Sequence, residues 1–398
     1  MMYIDNINMW GEALFSALAD QSHQLTTLSQ QALGAGIDKY QNKDFKGAAK
    51  EFKRAIGLDP NSEYSVDATK YLAMSYQKLE QTDKAIDTYK EGLKIHRDRD
   101  DLQVALGNIY YAEERIGEAI EAYEAAVRIY DDPNNRFALG QAYLKADRQS
   151  DAADQFKRVI KMDSRSPNGY FGLGQALGAQ KQYAEAITQF ERAIQRNREF
   201  NAAYVEIGYL HADNGDMRQA EEIKSFLERK DRGLAETLGN YINKMTKPKM
   251  MFAYSNSSFP YYMQPKTKVA GMNEYLASAD SSHTFNMIFQ FSKEMDRTSV
   301  ENVVNWSIER SSGNGPGRDY NNGLRLPETE VNPPAMPLTV IYNEQEQTAT
   351  VRFTIRQNAT GDGTLDPSRL VFAFKGVDAD GNAMNPKFDQ YMGFSGAF

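Results

Sequence analysis

The stretch FALGQAYLKADRQSDAADQFKRVI, residues 137–160, returns 34 residues later as FGLGQALGAQKQYAEAITQFERAI, residues 171–194. Each copy carries a glycine, an alanine twelve residues after it and a phenylalanine four residues further on, as in Gly140, Ala152 and Phe156. Self-similarity at a period of about 34 residues is typical of arrays of helical hairpins. A repeated helical unit therefore decides the fold of this part of the chain.

The alanine of this pattern occurs six times, at intervals of 37, 34, 33, 34 and 34 residues. The six positions are Ala48, Ala85, Ala119, Ala152, Ala186 and Ala220. A glycine or alanine stands twelve residues before each of them, and an aromatic residue stands four residues after all but the last, where Lys224 takes its place. Residues three and four apart share one face of a helix, so small and aromatic side chains at this spacing predict paired helices in close contact.

With small and aromatic residues recurring at the same positions, or columns, of each repeat, residues 29–230 resemble six tetratricopeptide repeats. The resemblance implies an all-α solenoid at the amino-terminal side of the chain, with an inner groove lined by the first helix of each hairpin. Such an array offers a long surface for another polypeptide and no cleft built for catalysis. Residues 231–246 are predicted to form a helix that caps the last repeat.

The register of the repeats names the residues expected to line the groove. They are Lys70, Met74, Asn108, Tyr111, Phe137, Gln141, Lys145, Asn168, Phe171, Gln175 and Tyr209. Amide side chains can hydrogen-bond an extended backbone, and aromatic side chains can hold a partner's apolar groups. The alternative is that several of these residues cap the core.

The groove interpretation is favoured for Phe137, Gln141, Phe171 and Gln175, because other columns already supply the packing residues. Some members of the family clamp a terminal carboxylate with Lys, Arg and Asn. Here the candidates for such a clamp are scattered in the register, so an internal segment of a partner is the expected ligand.

Residues 1–28 are predicted to form a separate amphipathic helix. Apolar side chains recur there at helical spacing, at Trp10, Leu14, Phe15, Leu18, Leu25 and Leu28. We expect this helix to dock on the first repeat or to insert into a second subunit, which makes self-association one possible outcome.

After about residue 247 the helical period ends, and short alternating runs of β-prone residues separate Gly, Pro, Asn and Ser. Residues 247–284 are predicted to be a linker and residues 285–398 a β-sandwich that contains a long Gly- and Pro-rich insertion at 311–337. Within the insertion, Gly313–Gly317 is interpreted as a mobile loop. Residues 338–355 are expected to form a hairpin whose Val351, Phe353 and Ile355 face one way.

Two stretches of this second region resemble bacterial Ig-like domains of the kind found in surface-layer proteins. They are FSKEMD at residues 291–296 with the segments that follow it, and VDADGNAM at residues 377–384. The resemblance implies a carboxy-terminal all-β Ig-like sandwich that acts as a spacer or an assembly module. The whole chain is then a multidomain protein with one helical and one β part.

The composition of the chain indicates which binding partners and which cellular compartment to expect. A formal net charge of −8 without a basic stripe argues against nucleic acid as the main partner. The chain has no cysteine, no apolar run long enough to cross a bilayer and a poor secretory signal at its start. The default expectation is a cytoplasmic protein with no integral membrane segment, and the alternative is export to the cell surface by another route.

No catalytic residue, metal site or cofactor is predicted. The histidines are His23, His96, His211 and His283, and none forms a metal-ligand pair at helical spacing. The run Asp378–Asn382 has the oxygen-rich composition of a calcium loop, but the Gly and Glu that an EF-hand requires are replaced, so a β-turn is favoured. A non-enzymatic adaptor that binds a peptide segment is the leading functional hypothesis, and an exported structural subunit of a bacterial surface structure is the alternative.

Overall fold

The computed structural model describes residues 2–256, 258–313 and 319–392, with side chains from residue 20 onward. Contacts divide the chain into two units, Met1–Leu238 and Gly239–Phe398. The division falls inside one helix, Arg232–Met245.

Helices that follow one another along the chain build the first unit. Their bounds are α1 Met2–Gln41, α2 Phe45–Leu58, α3 Glu63–Lys78, α4 Thr82–Ile95, α5 Asp100–Ala112, α6 Ile116–Ile129, α7 Pro133–Lys145, α8 Gln149–Met162, α9 Pro167–Ala179, α10 Tyr183–Arg196, α11 Asn201–Asp213, α12 Met217–Leu227 and α13 Arg232–Met245. Short polar turns join them in pairs, so α1 packs on α2, α3 on α4, and so on to α12. Several first helices begin at a side-chain cap, as Asp132 caps α7 and Ser166 caps α9.

The turn inside each pair contains one residue in the left-handed backbone region. These residues are Lys43, Glu80, Glu114, Asp147, Lys181 and Gly215, with φ between 58° and 84°. The same φ at the same place in six turns shows that the repeat extends to the backbone. A residue with a Cβ is strained there by roughly 1–2 kcal/mol, and Gly215 avoids that strain.

The small and aromatic columns form the core between helices. The ring of Phe156 is fully buried and lies against Gly140 of its own pair and Gly172 of the next. A Cβ at Gly140 would come 2.7 Å from that ring. Glycine is therefore required at these positions because two helices approach each other closely there, as the repeat pattern predicts.

The helix α1 runs without a break across residue 28, where the sequence interpretation placed a boundary. No glycine or proline between Asp20 and Leu33 interrupts it. Ser29 donates a hydrogen bond to the carbonyl of Ala55 (2.8 Å) at the end of α2. Leu25 and Leu28 are more than a third exposed. The side chains of Trp10, Leu14, Phe15 and Leu18 lie outside the described residues.

At the other end of this unit, α13 occupies the region predicted to cap the array. Ala235 and Leu238 are buried, and a Cβ at Gly208 would come 2.5 Å from the Leu238 side chain. Gly208 thus lets α13 approach α11 closely, as aromatic rings approach the glycines of the preceding pairs.

Antiparallel strands build the second unit. Their bounds are β1 Met250–Tyr254, β2 Thr267–Lys268, β3 Ser282–Phe291, β4 Trp306–Arg310, β5 Thr339–Asn343, β6 Thr348–Arg356, β7 Thr364–Leu365, β8 Leu370–Phe374 and β9 Gln390–Met392, with a short helix α14 Arg297–Glu301 after β3. One sheet has the order β1-β3-β6-β5, a second β4-β8-β9, and β2 pairs with β7. The predicted 338–355 hairpin is confirmed by β5 and β6, and its Val351, Phe353 and Ile355 are fully buried.

Aromatic side chains join the two larger sheets. Phe289 of β3 lies 5.3 Å from Phe372 of β8 and 5.4 Å from Trp306 of β4, measured between ring centroids. Phe291 lies 5.4 Å from Phe374. Alternate residues of β3 therefore form one apolar face, as the strand period of two requires.

The predicted linker at 247–284 is wrong. Met250 pairs with Phe291 in the sheet, and Phe259, Val269 and Leu276 are buried in the core. The hydroxyl groups of Ser255 and Ser258 both donate to the carbonyl of Asn286, so serines that indicate a linker by composition fix a turn here. The apolar residues of this segment are spaced irregularly among polar ones, so no helical or strand period in the sequence predicts their burial.

The insertion at 311–337 also contributes to the packing. Tyr320 and Val331 are buried, and the phenol oxygen of Tyr320 accepts a hydrogen bond from the backbone of Asp366 (2.9 Å). The carboxylate of Asp366 in turn accepts from the backbone of Asn321 (3.0 Å). Residues 314–317 of the predicted Gly313–Gly317 loop lie outside the described residues.

Candidate binding face of the helical unit

The first helices of successive pairs, α3, α5, α7, α9 and α11, lie side by side, and we call the surface they form the first-helix face. Gln141 of α7 donates a hydrogen bond to the side-chain oxygen of Gln175 on α9 (3.1 Å). Gln175 in turn donates to the carboxylate of Glu206 on α11 (3.0 Å). These three half-buried side chains form a polar line across three repeats, which we call the Gln–Glu ladder.

Glu206 is the member of the ladder that the sequence analysis missed. The glutamines stand one residue after the small residue of their helices, and in α11 that column holds Tyr209. Glu206 stands two residues before Gly208, where α9 has Gly172. A charged residue at a position that holds an alanine or glycine in the three preceding repeats was the available signal.

The environment of Glu206 changes its chemistry. Burial raises the pKa of Glu206 above its ordinary value, and the hydrogen bond from Gln175 opposes that shift only in part. The pKa of the neighbouring Tyr209 is also raised, first by burial and then by the charge of Glu206. The carboxylate is therefore poorly solvated and would be stabilised by an additional hydrogen-bond donor or cation.

Two aromatic side chains flank the glutamines on the same helices. Phe137 precedes Gln141 by one turn of α7, and its ring centroid lies 5.5 Å from that of Phe156. Phe171 precedes Gln175 by one turn of α9 and lies 5.5 Å from Phe190. Both rings are half-buried, and Phe171 also lies 4.9 Å from the ring of Phe200, so each packs on the core while part of its surface remains exposed.

Three of the predicted cationic and amide residues outside this group have side-chain partners within the chain. Lys70 pairs with Asp101, Lys145 lies 3.2 Å from Glu114, and Asn108 accepts a hydrogen bond from the Tyr123 hydroxyl (2.7 Å). Although partial burial opposes ionisation of Asp101, hydrogen bonds from Arg99 and Lys70 lower its pKa to about 2. These side chains therefore do not assemble an open clamp for a carboxylate.

The remaining predicted residues lie farther from the ladder or at its edge. Met74 is 39% exposed on α3, two pairs before α7. Tyr111 is half-buried on α5, and Asn168 is exposed in the first turn of α9, where its backbone N–H is capped by Ser166. The structure thus brings Phe137, Gln141, Phe171 and Gln175 together on two adjacent helices, with Tyr209 near Glu206 on the next, and leaves the other predicted residues apart.

In the second unit, an ammonium group lies beside the run Asp378–Asn382. Lys293 Nζ lies 2.8 Å from Asp378 and 3.5 Å from Asp380, and it also donates to the carbonyl of Asn243 (2.8 Å). Burial opposes ionisation of Asp378, but hydrogen bonds from Lys293 and Asn382 hold its pKa below the ordinary value. The counter-ion of this carboxylate is a lysine, and within the described residues no three acidic or histidine side chains are placed to hold a metal.

None of the helices in the described part of the chain has both the length and the apolar character needed to cross a bilayer.

Comparison with known proteins identifies the repeat. A tetratricopeptide-repeat family model matches residues 72–134, 137–195 and 171–224. The chain is 28% identical over 131 residues to small glutamine-rich tetratricopeptide repeat-containing protein 2 of Mycosarcoma maydis, an alignment that covers 32% of this chain and 36% of that protein. The chain therefore spans about a third of the length of this curated relative.

Solved structures similar to this chain include a tetratricopeptide repeat protein from Parabacteroides merdae, with 14% identity, a TM-score of 0.49 and coverage of 55% of this chain and 86% of that one. PilF of Pseudomonas aeruginosa is 18% identical, with a TM-score of 0.43 and coverage of 55% and 99%. Tetratricopeptide repeats generally mediate protein–protein interaction. The amino-terminal part of this chain is a solenoid of tetratricopeptide repeats, followed by a carboxy-terminal region of antiparallel sheets.

Proposed function

We propose that this protein is a non-enzymatic adaptor whose first-helix face, at α7, α9 and α11, binds a segment of a partner polypeptide. The observation that carries the proposal is the Gln–Glu ladder together with two half-buried phenylalanines, each one helical turn before a ladder glutamine. Polar groups that run across repeats, rather than along one helix, suit a ligand that crosses several helices.

The glutamines retain hydrogen-bonding capacity for such a ligand. A glutamine amide has two N–H donors and an oxygen with two acceptor sites. Gln141 uses one donor on Gln175, and Gln175 uses one donor on Glu206 and one acceptor site on Gln141. Each side chain therefore has at least one donor and one acceptor site left for the backbone of an extended peptide.

The phenylalanines supply the apolar part of the interaction. Phe137 and Phe171 are held from behind by Phe156 and Phe190, so little rotamer freedom is lost when a partner covers them. Aromatic side chains of this kind are frequent among the residues that dominate interface energies.

Glu206 defines one end of the ligand site. Its raised pKa reflects a carboxylate that lacks full solvation, and a partner's N–H group, lysine or arginine would restore it. The proposed ligand is thus a segment with apolar side chains over Phe137 and Phe171 and a donor or basic side chain at Glu206.

We also propose that the second unit is an Ig-like module that acts as a spacer or a second contact. Its sheet orders, β1-β3-β6-β5 and β4-β8-β9, correspond to the ABED and CFG sheets of the constant-type Ig fold, with β2 and β7 as additions. Trp306 on the strand that corresponds to C packs on Phe289, which contacts Phe372 where antibody domains have the disulfide between strands B and F.

The test is affinity capture with the full-length protein from cells that make it, followed by mass spectrometry. The Gln141→Ala/Gln175→Ala variant changes half-buried side chains and leaves the buried aromatic core intact. We expect it to retain the wild-type partner at least about tenfold less well, the effect of about 1.4 kcal/mol of binding energy. Adding Phe137→Ala and Phe171→Ala should abolish retention, with circular dichroism to confirm that the helices persist.

A matched control changes exposed side chains at the ends of second helices. Tyr130 and Met162 are 57% and 44% exposed after α6 and at the end of α8. The Tyr130→Ala/Met162→Ala variant should bind as the wild type does. A partner that the double glutamine variant and the wild type retain equally would contradict the proposed site.

A further inference from the structure

A cavity of about 410 Å³ opens on the side of the solenoid opposite to the first-helix face, between the second helices α2 and α4. Its floor is α3, through Thr69, Leu72 and Tyr76, and Ile56 and Ile95 form its walls. None of the residues of the Gln–Glu ladder lines it. Its volume lies in the range of pockets that take a ligand or a large side chain.

The cavity exists because two residues of the repeat are unusually small at this position. Thr69 stands four residues before the small residue of its helix, where α7 has Arg136 and α9 has Tyr170. Arg136 reaches Gln155 on α8 (2.7 Å), and Tyr170 receives a hydrogen bond from Arg196 of α10 (3.2 Å). The long side chains thus span the later grooves, whereas Thr69 leaves the first one open.

Gly92 of α4 widens the opening from the other side. The same column holds Ala126 in α6, Val159 in α8 and Ala193 in α10. A Cβ at Gly92 would come 2.8 Å from the methyl group of Thr69, so these two residues pack closely. Neither has a side chain long enough to cover the floor of the cavity.

The charges at one end of the cavity also differ from the other repeats. Lys53 and Lys84 lie 5.6 Å and 5.8 Å from the ring centroid of Tyr76. Among the residues that the structure describes, neither ammonium has a carboxylate within 4.0 Å, and Lys84 donates to the neutral Gln81 (2.9 Å). Two positive charges therefore converge on one tyrosine, and neither is part of an ion pair.

In the next two repeats an arginine that is neutralised lies over the corresponding tyrosine, and Lys90, the counterpart of Lys53, also lies 5.8 Å from the first of these rings. Arg115 lies 4.6 Å from the Tyr110 ring and pairs with Glu118. Arg148 lies 4.3 Å from the Tyr143 ring and donates to Asp151 (2.7 Å). Glu118 and Asp151 stand one residue before the repeat alanine, and in the second repeat Lys84 occupies that position. The charge at this column is thus reversed beside the cavity.

We propose that this cavity is a second protein-binding site, which takes an acidic segment of a partner polypeptide. An aliphatic or aromatic side chain of that segment fills the space over Leu72, and a carboxylate next to it lies between Lys53 and Lys84. Charge complementarity selects this occupant, since two ammonium groups flank Tyr76 at the rim without an ion pair, while Glu91 is paired with Lys94 (2.5 Å) and Asp87 is the one other carboxylate of the lining. Burial of one apolar side chain provides the affinity, and the carboxylate provides the selectivity.

The experiment selects binders from a displayed library of random 12-residue peptides on the full-length protein and measures the enriched peptides by fluorescence anisotropy. The decisive variant is Lys84→Glu, which the fold accommodates because three other repeats carry Glu118, Asp151 and Glu185 at that position. The matched control is Lys90→Glu, which removes the same charge beside Tyr110, 5.8 Å from its ring, in the following groove.

The expected result is a class of peptides with Asp or Glu beside a large apolar residue, bound at least tenfold more weakly by Lys84→Glu and unchanged by Lys90→Glu. Replacing the acidic residue of the peptide with its amide, or the apolar residue with Ala, should weaken binding to a similar degree. These peptides should bind the Gln141→Ala/Gln175→Ala variant normally, which separates this site from the proposed first-helix site.

Three results would overturn the inference. They are a selection without acidic and apolar peptides, equal affinity of such peptides for the Lys84→Glu variant, or their loss in the double glutamine variant. Failure of the first-helix proposal would leave the Lys84 comparison unaffected, because the two sites share no residue.

Discussion

At the scale of single residues, Glu206 shows how burial sets the chemistry of the binding face. Its carboxylate accepts one hydrogen bond from Gln175 and lies near the half-buried Tyr209. The pKa is raised, first of all by burial, so the folded protein binds this proton more tightly than the unfolded chain does. The contribution of Glu206 to stability is then favourable at low pH and is lost as the pH rises from about 4.5 through the folded-state pKa.

This environment predicts that Glu206→Gln raises the free energy of unfolding at pH 7 by about 1 kcal/mol. The amide can still accept the hydrogen bond from Gln175, and the cost of an ionised, poorly solvated carboxylate disappears. Urea unfolding followed by circular dichroism at pH 7 and at pH 4.5 measures the effect, and the difference from the wild type should shrink at the lower pH.

The exposed Glu121 on α6 provides a control of the same chemistry. Glu121→Gln should leave stability within about 0.5 kcal/mol at both pH values, as surface substitutions generally do. A Glu206→Gln protein that is less stable than the wild type at pH 7 would show that the carboxylate is stabilised in the fold.

At the scale of secondary-structure elements, a glycine decides how closely two helices approach. Glycine inside a helix normally costs up to about 1 kcal/mol relative to alanine. Replacing a helical glycine with alanine is therefore normally expected to raise the stability of the fold. Gly172 of α9 is an exception, because the buried ring of Phe156 occupies the space that a Cβ at this position would need. Gly34 of α1 has no atom within 4 Å of the place a Cβ would take.

The two glycines therefore predict opposite effects of one substitution. Gly172→Ala should lower the free energy of unfolding by about 1–3 kcal/mol, since the ring of Phe156 is enclosed and must shift. Gly34→Ala should raise it by up to about 1 kcal/mol. Urea titrations of both variants check the comparison, and two changes of the same sign would contradict it.

At the scale of the whole molecule, the chain contains two units with separate cores. The helical unit is built from contacts between neighbouring pairs, whereas the core of the β unit joins strands distant in sequence. Trp306 is 3% exposed in the second unit, and the other tryptophan of the chain is Trp10. In a Trp10→Phe background, tryptophan fluorescence reports on the β unit alone.

We expect this arrangement to give separable unfolding transitions. Adding Gly172→Ala to the Trp10→Phe background should move the denaturant midpoint of the circular dichroism signal at 222 nm, which helices dominate, to lower urea concentration. The midpoint of Trp306 fluorescence should stay within about 0.2 M, because that core contains no residue of the solenoid. Midpoints that move together would indicate one cooperative transition for the whole chain.

The sequence was a reliable guide where a feature is periodic and local. It predicted the paired helices and the β5–β6 hairpin, and it placed Phe137, Gln141, Phe171 and Gln175 on two adjacent helices. It was wrong for residues 247–284, where β1 and buried residues such as Phe259 come from a segment with the composition of a linker. The apolar residues of this segment have no regular spacing, so the sequence does not predict their burial. Their burial depends on contacts with residues elsewhere in the chain.

The sequence by itself determined the solenoid, because a helix repeats every 3.6 residues and the spacing of small and aromatic side chains is therefore a property of the linear chain. Only the tertiary structure decided that Glu206 ends the ladder of glutamines, that Lys293 is the counter-ion of Asp378, and that Thr69 leaves a groove open. Each of these three features depends on residues from different parts of the chain. Their separation along the sequence does not determine their distance in space, which is set only when the helices and strands pack.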